Sequence, residues 1–164
     1  MLKKIWDNFE EYILIALFSF VTPLLLLQII MRYVFKNSLS WSEELARYIF
    51  LWMIWIGSSY GVKKSRHIRI EIIKNKVSEQ ANYILEIVVI IISMGFCAFL
   101  VVKGSELVAR IFSLKQISPA LRLPMGYPYL SVPVGASLMI IRYIEKIIEI
   151  TNEIRKLRLE GKVK

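Results

Sequence analysis

The sequence has little of what soluble catalytic domains use. Only one cysteine, Cys97, and one histidine, His67, occur among 164 residues. A single cysteine excludes a disulfide framework, and a single histidine excludes a bis-histidine haem or a multi-histidine metal site. Seven glycines and five prolines exclude a collagen-like or low-complexity chain. Acidic residues are scarce, 13 against 22 basic ones, which leaves a formal net charge of +9. There is no Ser/His/Asp set, no Gly-rich phosphate loop and no pair of carboxylates inside an apolar run. An enzyme is therefore not expected. What the chain has in excess is apolar surface: 56% of its residues are hydrophobic, more than a domain this small can hide in one core.

That excess is organised into four uncharged runs. Tyr12 to Met31 gives 20 residues, Tyr48 to Val62 gives 15, Ile87 to Val102 gives 16 and Leu123 to Ile141 gives 19. A bilayer core about 30 Å thick needs about 20 mostly apolar residues in a helix. The shorter runs reach that length only if their flanking charges snorkel to the interface or are paired. The expected fold is an all-α integral membrane protein, a compact bundle in one domain, 1–164, with four transmembrane helices. The spans are placed at about 12–34, 41–63, 84–103 and 124–143, with a cytoplasmic tail over 144–164. The first run lacks a small-residue cleavage site after Met31, so it reads as a helix rather than a secretory signal. No internal repeat of the kind many self-sufficient transporters carry is evident in the sequence.

Basic residues set the orientation. The N-terminus, the connection from Lys63 to Asn82 and the tail from Arg142 hold 15 of the 22 lysines and arginines. Both termini are therefore expected in the cytoplasm. This charge sits in loops beside apolar runs, which topology and anionic lipid explain, so no nucleic-acid partner is expected. Between the second and third spans, Ile68, Ile70, Ile72 and Ile73 alternate with polar residues, strand-like or helical, on the inner interface beside Arg66 and His67. From about 105 to 116, Leu107, Val108, Ile111 and Leu114 share one helical face. This segment is either a short amphipathic helix on the outer interface or a continuation of span three. Pro124 opens the last span, and Pro133 is expected to kink it.

The densest polar cluster lies at the first hairpin: Gln28, Arg32, Ser40, Trp41, Glu43, Glu44 and Arg47. Ser40 and Glu43 have capping-box spacing, and Glu43 and Arg47 are four apart in the favourable order. Gln28 and Arg32 share a face at the end of span one, so the two arginines and two glutamates are expected to staple spans one and two. The competing reading, a cation or proton site at Glu43 or Glu44, is the weaker one, since capping and pairing account for these charges and neither lies mid-span. Gly57, Ser58 and Gly61 in span two, with Gly95 in span three and Gly135 in span four, are small residues that let helices approach closely, within the bundle or against another subunit. Cys97 reads as a small buried apolar residue.

The run QIIMRYVFKNSLSWSEELARYIFLWMIWIGSSYGVKKSRHIRI (28–70) resembles the small membrane subunit of tripartite ATP-independent periplasmic (TRAP) transporters, as does SPALRLPMGYPYLSVPVG (118–135). The matching positions are Arg32, Trp41, Glu43, Glu44, Arg47, Gly57, His67, Pro124 and Pro133, to which the resemblance assigns fold and interface roles. It implies a multi-pass subunit of the bacterial inner membrane that braces a large, M-type membrane subunit expected as a separate chain. An extracytoplasmic, P-type solute-binding protein would deliver an organic acid, a C4-dicarboxylate or a sialic or sugar acid. It also implies that the sodium ions driving uptake bind in the large subunit, with no cofactor, metal or substrate site in this chain. The alternative is a self-sufficient four-helix homodimeric exporter, which is expected to need an acidic residue inside span one. Tyr12 to Met31 contains none.

Overall fold

The first three uncharged runs lie inside longer helices, because the charged residues that flank them remain good helix formers, whereas the fourth starts in a loop and enters its long helix at Ser131. The computed structural model describes the backbone of residues 2–64 and 79–159, and side chains over 8–64 and 83–155 except 153. Arg66, His67 and the connection around them lie outside the described residues. The helices are α1 (Leu2–Tyr33), α2 (Ser40–Lys64), α3 (Glu79–Ser113), the single turn α4 (Gly126–Tyr129) and α5 (Ser131–Leu159). One isolated bridge, Ile117 to Pro124, is the extended pairing recorded among the described residues. Among the described residues, two helices are long and apolar enough to cross a membrane: α1 over Asn8–Tyr33 and α3 over Tyr83–Ser113.

The four long helices do not close into a compact bundle. The main pairings are α1 on α2, α2 on α5 and α5 on α3, an open row with α1 and α3 at its edges. Two small cores hold the row. Val21 and Leu24 of α1 meet Ala46 and Ile49 of α2. Cys97 of α3 meets Ala136 and Met139 of α5, with Trp55 and Val62 of α2 against them. The edge helices consequently expose large apolar side chains, Phe18 at 60% and Ile92 at 68%. An edge helix has a neighbour on one side only, so most of its apolar surface stays uncovered within this chain.

The segment at 105–116 is not a separate amphipathic helix; residues 105–113 are the last turns of α3. Nothing between Lys103 and Ser113 breaks the helix, and the ion pair from Lys103 to Glu106 (2.9 Å) spans the point where a break would fall. Val108 and Ile111 are buried, whereas Leu107 and Leu114 on the same stripe are exposed. Pro133 lies in the first turn of α5, one turn past Tyr129, whose carbonyl it cannot serve as a donor. Leu130 joins α4 to α5 with helical backbone, its N–H donating to the Gly126 carbonyl (2.9 Å) and its carbonyl accepting from Val134 N–H (3.2 Å).

Gly135 sets the spacing of the central pair. A Cβ there would lie 2.4 Å from Trp55 Cβ and 3.1 Å from the Trp55 carbonyl carbon. Backbone cannot yield as a side-chain tip does, so any larger residue forces α2 and α5 apart. A Cβ at Gly95 would meet nothing within 4 Å. Gly135→Ala is expected to destabilise the subunit by about 1–3 kcal/mol through overpacking. Gly95→Ala should leave stability unchanged or raise it by up to about 1 kcal/mol through helix propensity. Thermal unfolding of the purified, detergent-solubilised variants checks both.

Candidate functional site

Polar side chains gather at two levels, one at each end of the row. The hairpin end carries the turn at 34–39 and the loop at 114–125. The terminal end carries the start of α1 and the last half of α5. On α1, 22 residues separate Glu10 from Arg32, about 33 Å at ~1.5 Å per residue. On α3, 17 residues separate Glu86 from Lys103, about 26 Å. Between the levels all four long helices are uncharged.

At the terminal end an ion pair is shut away from solvent. Glu10 of α1 is 0% exposed and the Arg142 side chain of α5 is 2% exposed. Arg142 donates from Nε to both Glu10 oxygens (3.0 and 3.1 Å) and from a terminal nitrogen to Oε2 (2.8 Å). Ser59 of α2 donates to Glu10 Oε1 at 2.6 Å. The other terminal nitrogen of Arg142 donates to Glu145 (2.7 Å), and the guanidinium lies over the Phe9 ring. Three helices therefore meet in one charge-assisted network. Beside it Tyr60 donates to Glu11 (2.8 Å), and Lys146 of α5 pairs with Glu86 of α3 (2.8 Å, both mostly buried). All four long helices take part at this level.

Reading the sequence alone missed this pair. Glu10 stands two places before the first uncharged run and Arg142 immediately follows the last, so both pass for interface charges. The available signal was their placement: opposite charges bounding the first and last runs on the same side.

At the hairpin end the expected staple forms in part. Arg32 reaches Glu43 at 3.4 Å and Arg47 reaches it at 3.6 Å, all three being about half exposed or more. Exposed pairs of this kind contribute little, about 0–1 kcal/mol. Glu44 is turned away from both arginines and is 6% exposed. It accepts the backbone N–H of Ala120 (2.8 Å) and of Leu121 (3.2 Å), and the hydroxyl of Tyr48. Its work is to hold the 118–123 loop on α2 rather than to join α1 and α2. That loop is itself a tight hairpin: Ser118 N–H donates to the Leu123 carbonyl and Met125 N–H to that of Gln116.

Helix α2 begins at Ser40, and it is Ser42 whose hydroxyl bonds the Leu39 carbonyl, at 2.8 Å. The Ser40/Glu43 capping box is not made, because the Glu43 carboxylate is engaged by the two arginines. Gln28 is half-buried and Trp41 exposed; neither joins the cluster through a hydrogen bond among the described residues. A Cβ added at Gly57 would lie 3.9 Å from Leu14 of α1, one added at Gly61 would meet nothing within 4 Å, and Ser58 donates its hydroxyl to the Ile54 carbonyl. Pro124 takes part in the Ile117 bridge.

Between the two levels lies an apolar groove of about 460 Å³, lined by Ile13 and Leu17 of α1, Tyr48, Trp52 and Ile56 of α2, and Tyr127 of α4 among others. Its walls offer apolar burial and hardly any hydrogen bonding. Among the described residues no three His, Cys, Asp or Glu side chains gather as metal ligands.

The geometry sorts the charges by consequence. Arg142→Ala leaves Glu10 buried and unpaired, which costs about 3–5 kcal/mol. Arg32→Ala should fall within about 1 kcal/mol of the unaltered protein. Glu44→Ala should sharpen proteolytic cleavage in the 118–123 loop while leaving the helices intact. Thermal unfolding and limited proteolysis of the three variants read these outcomes.

Residues 21–153 match the family model described as tripartite ATP-independent periplasmic transporters, DctQ component. The chain is 31% identical to the sialic acid TRAP transporter small permease protein SiaQ of Vibrio cholerae, over 90% of this chain and 84% of that one. It is 30% identical to the C4-dicarboxylate TRAP transporter small permease protein DctQ of Rhodobacter capsulatus, over 66% of this chain and 48% of the relative. It is also 28% identical to the isethionate TRAP transporter permease protein DctMQ of Oleidesulfovibrio alaskensis, covering 84% of this chain but only 23% of that longer one.

Proposed function

We infer function from one premise: the chain belongs to the DctQ component family of the tripartite ATP-independent periplasmic transporters. That family consists of transporter permease subunits, not enzymes, and its members are membrane proteins. From there we propose that this chain is the small scaffold subunit of a sodium-coupled, binding-protein-dependent importer of organic acids. A sialic or sugar acid and a C4-dicarboxylate are the substrate classes that the names of the similar proteins support.

The proposed topology has four spans with both termini in the cytoplasm of a bacterium, across its inner membrane. Two polar levels about 26–33 Å apart on α1 and α3 support it, since they match a hydrocarbon core about 30 Å thick. The hairpin end is then extracytoplasmic.

The observation that carries the scaffold reading is where the charge lies. Every buried ionic group among the described residues is partnered and lies at one end of the row or the other, Glu10 and Arg142 at the terminal end and Glu44 at the hairpin end, and the middle carries no charged side chain to hold a cation. Secondary transporters place coupling ions near the midplane, on unwound helices and convergent carbonyls. Here α2 and α3 pass through that depth as continuous helices, and α1 stays helical across Pro23, which cannot donate to the Ser19 carbonyl. Sodium and solute are accordingly assigned to a large membrane subunit, which this chain braces, with an extracytoplasmic solute-binding protein delivering the acid. The occurrence of a DctQ-like stretch inside a much longer permease in Oleidesulfovibrio alaskensis supports that partnership.

Proteoliposomes test this directly. The chain reconstituted alone should take up no solute under a sodium gradient. The chain with its large subunit and binding protein should import an organic acid, and omitting this chain should abolish import. Sodium-dependent uptake by the chain alone would overturn the reading.

A further inference from the structure

Helix α1 carries two parallel seams. The first, Glu10, Leu14, Leu17, Val21 and Leu24, advances by alternate steps of four and three and lies against α2. Glu10 accepts from Ser59, and Val21 and Leu24 meet Ala46 and Ile49 with Leu17 packed beside them. The second seam runs two residues later at every step: Tyr12, Ala16, Ser19, Pro23, Leu26 and Ile30. Two residues turn a helix by about 200°, so this seam occupies the opposite face of α1. All six of its residues are exposed. Alternate steps of four and three are the spacing along which one helix packs on another. The face is thus patterned for a neighbour that this chain does not contain.

The middle of the open seam is also where α1 is short of hydrogen bonds. Pro23 has no N–H, so the Ser19 carbonyl loses its regular donor four residues on. The Ser19 hydroxyl makes no hydrogen bond among the described residues, whereas Thr22, Ser58 and Ser137 return theirs to carbonyls of their own helices. Ser19 stands nine residues from Glu10 and 13 from Arg32, about 14 and 20 Å along α1, inside the uncharged depth. A carbonyl and a hydroxyl without partners are costly against lipid at that depth. Proline persists in spanning helices where a neighbour resupplies the group it frees. Helix α2 lies on the far face of α1 and cannot do so. The other edge helix, α3, contains no proline, so its apolar stretch has no carbonyl interrupted in this way.

We propose that the Tyr12-to-Ile30 face of α1 seats one transmembrane helix of the large subunit, which brings a side-chain hydroxyl or amide to the Ser19 carbonyl and hydroxyl; this rests on the function proposed above. A hydroxyl or an amide can donate to the carbonyl and accept from the serine. A lipid tail can do neither, which sets this face apart from the purely apolar surface elsewhere on the edges. A second copy of this chain would also offer a serine, but the Oleidesulfovibrio alaskensis relative favours the large subunit. There the matched stretch shares one polypeptide with the rest of a permease, so a helix of another kind is always within reach. Between membrane helices such hydrogen bonds contribute modestly and fix register, so one pair at mid-depth would set how the two subunits align.

The test uses the full chain co-expressed with its large subunit. With Leu26 replaced by the photo-crosslinker benzoylphenylalanine, irradiation of native membranes should join this chain to the large subunit. Capture of a second copy of this chain instead, or no protein adduct at all, overturns the proposal. The double variant Ser19→Ala, Pro23→Ala removes the hydroxyl and gives the carbonyl a donor inside its own helix. The purified small subunit should then unfold at the same temperature or higher, because the changes fall on an exposed face and restore a helical bond. The amount of large subunit that co-purifies with it in mild detergent should nonetheless fall about threefold or more. Thr22→Ala, whose hydroxyl serves only α1, should leave co-purification unchanged. Equal co-purification with the double variant and the unaltered chain overturns the proposed seat and leaves the proposed function standing. Failure of the unaltered chain to co-purify with the large subunit overturns the proposed function instead.

Discussion

A carboxylate and a guanidinium with almost no access to solvent join the first and last long helices of this chain. Glu10 and Arg142 are 132 positions apart in sequence. A buried carboxylate is tolerable only when its oxygens are filled, and here Arg142 and Ser59 fill both. The pairing is more than a local convenience, because the helices stand in an open row. Helix α1 packs mainly on α2, so the reach of Arg142 across Ser59 is what ties the edge helix to the far side of α2. The same level continues through Lys146 to Glu86 and takes in α3. Lose this level and the row keeps only its pairwise contacts.

The chemistry of the molecule follows from where such groups are and where they are not. Charges at both ends are mutually satisfied or solvent-facing, and the middle is uncharged on every long helix. An ion-coupled transporter must release a desolvated cation at some depth, which needs polar groups that exchange partners. The hydrogen-bonded groups here serve fixed structural ends: Glu44 holds a loop, Glu10 holds a helix, Ser58 and Ser137 return to their own helix backbones. Large exposed apolar surface on α1 and α3 is the complementary fact. A chain with satisfied charged groups and unsatisfied apolar edges is suited to join other membrane components, which agrees with its membership of a multicomponent transporter family.

Much of this was legible in the sequence, and the parts that were not share a cause. Counting uncharged residues located all four long helices, since helix interiors in this chain differ from their ends by charge. The resemblance of 28–70 and 118–135 to the small TRAP subunit led to the right family. Periodicity at 105–116 could not say whether the helix continues, because an apolar stripe reads the same in either case. Side-chain partners were harder still. Glu44 looked like a partner for arginine from its neighbours in sequence, but its true partners are backbone groups 76 and 77 residues away. Glu10 and Arg142 gave only the signal of opposite charges bounding the first and last runs, which does not name them as partners. Gly135 was picked out as a packing residue by type alone, whereas its role depends on Trp55, which only the α2–α5 crossing brings beside it. Long-range pairing is a property of the packed helices, and no local pattern encodes it.

The central proposal is that this polypeptide braces an ion-coupled machine without holding the ion. A structure of the assembled transporter determined in sodium, at a resolution that shows coordinated cations, tests it most directly. The account predicts sodium enclosed wholly by the large subunit, with Glu10, Ser59 and Arg142 still bonded to one another. A cation coordinated by Glu10, Glu44 or any other group of this chain would contradict it.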